Sequence, residues 1–432
     1  MKKTLLLLLC GVCTLLASAQ IRGEEIRVLV SPDHADWQYR LGETCTFTVR
    51  VLKAENPLPD VMVDYELGPE MYPTEKRQGV HLKGGTLTLR GRMAVPGFLR
   101  CKVQTTIGGR TYEGLATAGY APEQIAPATT LPDDFGSYWK GVLRQARTLP
   151  LDPRMRLLPE RCTATDNVYE VSFNTQAGGG RFFGILSLPK AEGKYPALLR
   201  VPGAGVRPYT GDTYTAPGRV ITLEVGIHGI PVTLPQAVYD GLATGALSNY
   251  WTFRRDRRDD FYYHRVVVGA LRAVDLLCSL PQFDGRSLGV TGSSQGGALS
   301  VITAALDTRV TFLASVHPAL CDHEAYFSHR AAGWPHYFRY YGEPNEQQRA
   351  TARYYDTVNF ARLLRVSAWF SFGYNDEVCP PTSMYAAYNA DTALKELHLY
   401  LQTGHFWYQE QWDAWQEWIR GQLHLSANNP FK

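Results

Sequence analysis

Apolar and polar positions alternate along the first quarter of the chain. Ile26 to Val30, Thr44 to Leu52, Val61 to Leu67, Thr86 to Leu89, Leu99 to Thr105 and Thr111 to Thr117 mostly alternate or are rich in β-branched residues. Gly, Pro and Asn interrupt them at short intervals. A period of two is that of a strand with one buried face. Short strands at this spacing predict an all-β sandwich of immunoglobulin-like type over residues 20–120. Trp37, Tyr39, Tyr65, Tyr72 and Tyr112 fall inside it. Such aromatics pack a sandwich core or an interface more often than they form a sugar platform.

The rhythm then changes. Residues 121–132 are proline-rich, carry few long apolar side chains and read as a linker. Asp133 to Arg147 places Phe135, Tyr138, Trp139, Val142 and Leu143 on one helical face. Val168 to Asn174 and Phe182 to Leu188 read as a hairpin around Gly178-Gly179-Gly180. Short apolar runs follow at Ala197 to Val201, Val220 to Val225, Ser287 to Val290, Phe312 to Val316, Val366 to Phe372 and Glu396 to Leu401. Between or after them come helical patterns at Asp259 to Leu280, Ser383 to Ala390 and Glu410 to Leu423. Strands alternating with helices predict an α/β domain over residues 133–425, with a mostly parallel sheet covered on both faces.

The chemistry concentrates at strand ends. Gly292-Ser293-Ser294-Gln295-Gly296 fits G-x-S-x-G between a strand and a Gly- and Ala-rich helical pattern. That is a nucleophile elbow, which lifts one serine hydroxyl above the sheet. By itself the pattern is weak and also fits an ordinary Gly-rich loop. In the α/β-hydrolase arrangement an acid and then a histidine follow in the chain. Asp376 stands just after the run ending at Phe372, and His405 just after the run ending at Leu401. Type, order and position coincide, so Ser294, Asp376 and His405 form the candidate catalytic triad: nucleophile, orienting acid and base. The oxyanion needs two donors. The backbone N–H of Gln295 and that of Ala204, in the loop Pro202 to Gly205, are the candidates.

At these residues the chain resembles the acetyl xylan esterase/cephalosporin-C deacetylase family. The resemblance rests on Tyr262-Tyr263-His264-Arg265, Gly292-Ser293-Ser294-Gln295-Gly296-Gly297, Pro318-Ala319-Leu320-Cys321-Asp322 and Gly373-Tyr374-Asn375-Asp376-Glu377-Val378-Cys379-Pro380-Pro381. It covers roughly Pro132 to Leu423 and not the N-terminal sandwich. It implies an α/β-hydrolase fold, deacetylation of O-acetylated sugars and xylo-oligosaccharides, no cofactor or metal, and oligomers, often hexamers. By position it carries the family's triad onto Ser294, Asp376 and His405, and its oxyanion donors onto Ala204 and Gln295. Three local departures stand out. His228-Gly229-Ile230 replaces the family's Arg-Gly-Gln, Phe406 replaces its Glu after the histidine, and Pro202-Gly203-Ala204 replaces its His-Gly-Tyr.

Composition adds bounds. At 432 residues with 45% hydrophobic content, the chain can bury two domains. A net charge of +3 gives no electrostatic case for nucleic acid. Lys2 and Lys3, the apolar run Leu5 to Leu16 and Ala17-Ser18-Ala19 read as a signal peptide over residues 1–19, with export to the periplasm or outside the cell. That run is too short for a membrane span, and no later run is longer. Export permits disulfides, and Cys45 with Cys101 is the candidate pair. His317, Cys321, His323 and His329 match no standard zinc spacing, so no metal site is expected from them.

The sequence therefore predicts an exported serine esterase acting on acetylated oligo- or polysaccharide. One alternative keeps the triad for another acyl group on glycans, or for a peptide bond. Another is a carbohydrate-binding protein with a relict hydrolase fold.

Overall fold

The computed structural model describes residues 26–176 and 180–425. The signal-peptide reading, and Gly178 and Gly179 of the expected turn, lie outside the described residues.

Residues 26–120 form two sheets. One joins Ile26–Pro32, Cys45–Lys53, Asn56–Pro57 and Thr86–Gly91. The other runs in the order Gln38–Tyr39, Arg110–Tyr120, Gly97–Ile107, Val61–Pro69, Glu75–Leu82. The alternation read from the sequence sets the faces. Val28, Val30, Phe47, Val49 and Val51 of the first sheet are buried with Val63, Leu67, Val103 and Ala116 of the second. The backbones come close at Gly114, where a Cβ would stand 2.4 Å from the Val28 carbonyl oxygen. Trp37, Tyr39 and Tyr65 are buried here, as core aromatics.

The expected Cys45–Cys101 disulfide is absent. Both thiols are free and fully buried. They pack as small apolar residues in the sandwich core, and burial pushes each up to about 12.

The remaining strands form one nine-stranded sheet. Named by first residue, its order is 154, 166, 180, 221, 195, 283, 312, 367, 395. From strand 221 to strand 395 every neighbouring pair is parallel; the other three strands extend that edge antiparallel. Alternate residues point to opposite faces, and both faces are covered. Leu199, Val290, Leu313 and Phe370 pack with Tyr263, Val267 and Leu299 of helices Tyr262–Ser279 and Gln295–Leu306. Leu198, Phe312, Ala314 and Trp369 pack with Trp415 and Ile419 of the closing helix Gln409–Gln422.

The proline-rich stretch between the two halves is strapped down. Asp322 Oδ1 accepts the N–H groups of Ala128 and Thr129 at 2.7 and 2.8 Å. Asp356 accepts the Thr129 hydroxyl at 2.8 Å, and Arg362 donates to the Thr129 carbonyl at 2.9 Å. The two halves also share apolar packing. Phe98 of the sandwich meets Tyr374 edge-on, with ring centroids 4.8 Å apart. Among the described residues no helix is long and apolar enough to cross a membrane.

Candidate active site

Ser294 stands between strand Phe283–Ser293 and helix Gln295–Leu306. Its backbone is at φ 61°, ψ −123°, a conformation that costs a side-chain-bearing residue about 1–3 kcal/mol. The surroundings hold it there. Its N–H donates to the Val316 carbonyl at 2.8 Å, and its carbonyl accepts from Ala319 at 3.1 Å. Gly296 lets the helix cross the neighbouring loop, since a Cβ there would lie 2.3 Å from the Val201 carbonyl oxygen.

Gln295 does two jobs. As the first residue of its helix, its N–H has no intrahelical acceptor and remains available as a donor. Its side chain, fully buried, ties the elbow to the loop opposite. It accepts from the hydroxyls of Tyr250 and Tyr263 at 2.6 and 2.7 Å and donates to the Pro202 carbonyl at 3.1 Å. Arg207 holds the same loop from outside, donating to the carbonyls of Ala204 and Gly203 at 2.9 and 3.3 Å. At Gly203 a Cβ would come within 3.8 Å of the Ser294 Cβ, so this loop borders Ser294.

His228, one of the local departures, holds the same loop from the other end, at Gly205. Burial pushes its imidazole down to about 4, so the ring is neutral. Its Nε2–H donates to the Gly205 carbonyl at 2.9 Å, and Nδ1 accepts the Tyr262 hydroxyl at 2.8 Å. That pairing fixes the tautomer.

Asp376 and His405 follow neighbouring strands, Ser367–Phe372 and Lys395–Leu399. Their loops are zipped together by Tyr374 N–H to the Leu401 carbonyl and Asn375 N–H to the Thr403 carbonyl, at 3.0 and 3.2 Å. Asp376 is fully buried. Oδ1 accepts the N–H groups of Val378 and Cys379, both at 2.8 Å, and Oδ2 accepts from Nδ1 of His405 at 2.8 Å. The carboxylate thus takes the ring nitrogen Nδ1 and leaves Nε2 to the other side. Burial raises the Cys379 thiol well above its ordinary value.

One neighbour was not singled out in the sequence for this place. His317 follows strand Phe312–Val316, next to the elbow strand. It is buried, its Nδ1 lies 3.6 Å from Asp376 Oδ2, and its ring centroid is 5.3 Å from that of His405. Burial pushes it down to about 4, so it adds no charge beside the acid. Its only sequence signal was a histidine directly after a strand. The four-residue His/Cys group does not assemble. Cys321 donates to the Pro318 and Ala319 carbonyls, His323 packs on Tyr337, and His329 on Tyr72. The grouping that does form is His317, Asp376 and His405, whose ligand-type atoms lie within 4.8 Å of one another. There the facing atoms of Asp376 and His405 are already spent on each other.

Residues 123–420 match the family model of acetyl xylan esterase. The chain belongs to the acetyl xylan esterase family. It is a carboxylic ester hydrolase of α/β-hydrolase architecture, as the resemblance at Gly292–Gly297 and Gly373–Pro381 implied. This esterase is 36% identical to the acetyl esterase Axe7A of Xylanibacter ruminicola over 399 residues, 91% of this chain and 90% of that one. Among solved structures it resembles an acetyl xylan esterase from Paenibacillus sp. R4, with TM-score 0.61 and 26% identity over 69% of this chain and 98% of that one. It shares its fold with acetyl xylan esterase 1 of Thermoanaerobacterium sp. JW/SL YS485, with TM-score 0.58 and 23% identity over 71% and 98%.

Proposed function

We propose that this esterase is exported and removes O-acetyl groups from xylan-derived or related plant glycans through an acyl-enzyme on Ser294. His405 Nε2 takes the hydroxyl proton as Oγ attacks the ester carbonyl carbon. The N–H groups of Gln295 and Ala204 hold the oxyanion; one such donor contributes about 3 kcal/mol of transition-state stabilisation. The carbon–oxygen bond to the sugar breaks, and the sugar oxygen leaves with the proton from His405. Water, deprotonated by the same imidazole, then attacks the acyl carbon, acetate departs and Ser294 recovers its proton. Asp376 holds His405 in the tautomer this needs.

The observation that carries the reading is the 2.8 Å bond from His405 to a buried Asp376, past the carboxyl ends of the parallel strands that also lead into the strained Ser294. Phe406, directly after His405, is 51% exposed and offers an aromatic face of the kind on which sugars stack. Lys2, Lys3 and the apolar run behind them support export. The test is a comparison of esters at matched concentration. Acetate should be released from acetylated xylo-oligosaccharide, with no release from a feruloylated counterpart or a peptide. Faster release of the aryl acid would replace the acetyl assignment.

A further inference from the structure

The loop that carries Asp376 is held from two sides, and one side is the N-terminal β-domain. Arg100 lies on strand Gly97–Ile107 of that domain, with its side chain only 8% exposed. Its Nη2 donates to the main-chain carbonyls of Tyr374 and Asp376, at 3.1 and 2.9 Å. The guanidinium is itself fixed. Nε donates to the Thr117 hydroxyl at 3.0 Å, and Nη2 also faces Glu70 Oε1 at 3.2 Å. Glu70, also buried, takes the Thr382 N–H at 3.2 Å and the Thr382 hydroxyl, in the first turn of the helix Pro381–Ala390 that follows the loop. Between these ties, Asn375 Nδ2 donates to the Leu115 carbonyl at 3.0 Å, and Tyr374 packs on Phe98. Residues 374, 375 and 376 therefore each touch the β-domain.

We propose that Arg100 is a positioning residue for the esterase reaction, and that the β-domain, through it, forms part of the catalytic apparatus. A planar guanidinium can bond two neighbouring carbonyls and a carboxylate at once, which fixes the direction of the peptide planes around Asp376. With those planes fixed, the carboxylate faces His405. An aspartate acts in a triad by orienting its imidazole, so a small rotation of its backbone costs rate rather than binding. The family model spans residues 123–420, so the β-domain lies outside it. The likeness to Axe7A, over 91% of this chain, takes in most of the β-domain as well.

The inference rests on the triad reading above, and the experiment separates the two. Arg100→Met, Arg100→Lys, Asp376→Asn and Asn389→Ala are made in the full chain and assayed with p-nitrophenyl acetate. Rates are taken per mole of folded protein, measured from circular dichroism and a melting curve, so unfolded protein does not count. Asn389 ties the linker down away from this loop, donating to the Pro122 and Ile125 carbonyls, and serves as the structural control. Arg100→Met should lower kcat at least about tenfold with KM within about twofold, as a positioning loss does. Arg100→Lys should fall between, because an ammonium keeps the charge opposite Glu70 but not the fork. Asn389→Ala should keep the wild-type kcat whatever its melting temperature. Wild-type kcat in Arg100→Met overturns the proposal, as does an equal loss in Asn389→Ala. If Arg100→Met does not fold, wild-type kcat in Arg100→Lys overturns it. Wild-type activity in Asp376→Asn would instead overturn the triad reading itself.

Discussion

His405 donates from Nδ1 to Oδ2 of Asp376 across 2.8 Å, while Oδ1 of the same carboxylate is occupied by two main-chain N–H groups. This division of labour predicts what Asp376→Asn does. The amide oxygen must stay on the Val378 and Cys379 N–H groups, so the amide NH2 faces His405. Nδ1 then becomes an acceptor, and the proton moves to Nε2, where a base must have none. The fold should survive and kcat should fall about 10³- to 10⁴-fold with KM little changed. Steady-state hydrolysis of p-nitrophenyl acetate, with a melting curve as control, checks this.

Gln295 binds through its side chain three groups that have no water to turn to: the hydroxyls of Tyr250 and Tyr263 and the carbonyl of Pro202. Gln295→Leu removes all three bonds and leaves the Tyr250 hydroxyl only the Gly205 N–H. A buried polar group left unpaired costs about 1–3 kcal/mol, so stability should drop by several kcal/mol. Gln295→Glu, taking up a proton as a buried carboxyl does, keeps both tyrosine bonds and can still donate to the Pro202 carbonyl, so its loss should be clearly smaller. Urea unfolding of the two variants against wild type gives the ranking, and an equal loss would contradict the network.

The buried His228 gives a pH dependence with a definite sign. Its imidazole is held at about 4 when folded, against an ordinary value of 6.5. Between those values the unfolded chain takes up a proton that the folded one refuses. Stability from this group is therefore complete above pH 6.5 and is lost as pH falls toward 4. The loss is about 3 kcal/mol, at 1.36 kcal/mol per unit of pKa. A His228→Gln variant should lose that much less than wild type between pH 7 and pH 4 in denaturant titrations. Equal losses would mean that the ring charges freely in the folded protein.

The sequence exposed those parts whose signal is local. Val28, Val30, Phe47 and Val49 alternate with more exposed neighbours because one sheet face is buried, and a period of two records that directly. Ser294, Asp376 and His405 could be picked out because each directly follows an apolar run. Edge strands could not. Glu75–Leu82 and Arg154–Leu157 face solvent along most of their length and carry charged residues, so no apolar period marks them. The supports of the site were hidden for another reason. Tyr250 lies 45 residues from Gln295, and Arg100 lies 276 residues from Asp376, so their roles exist only once the chain is folded. The His317 to His329 run shows the converse. Closeness in sequence suggested one cluster, whereas the turns after strand Phe312–Val316 send those side chains to different neighbours.

The most direct test of the serine acyl-enzyme account is acetate release from acetylated xylo-oligosaccharide by wild type and Ser294→Ala at equal protein concentration. The account predicts a fall of about 10³-fold or more in the variant with the fold intact, because the acyl-enzyme forms on the Ser294 hydroxyl. Acetate release by Ser294→Ala at the wild-type rate would contradict it.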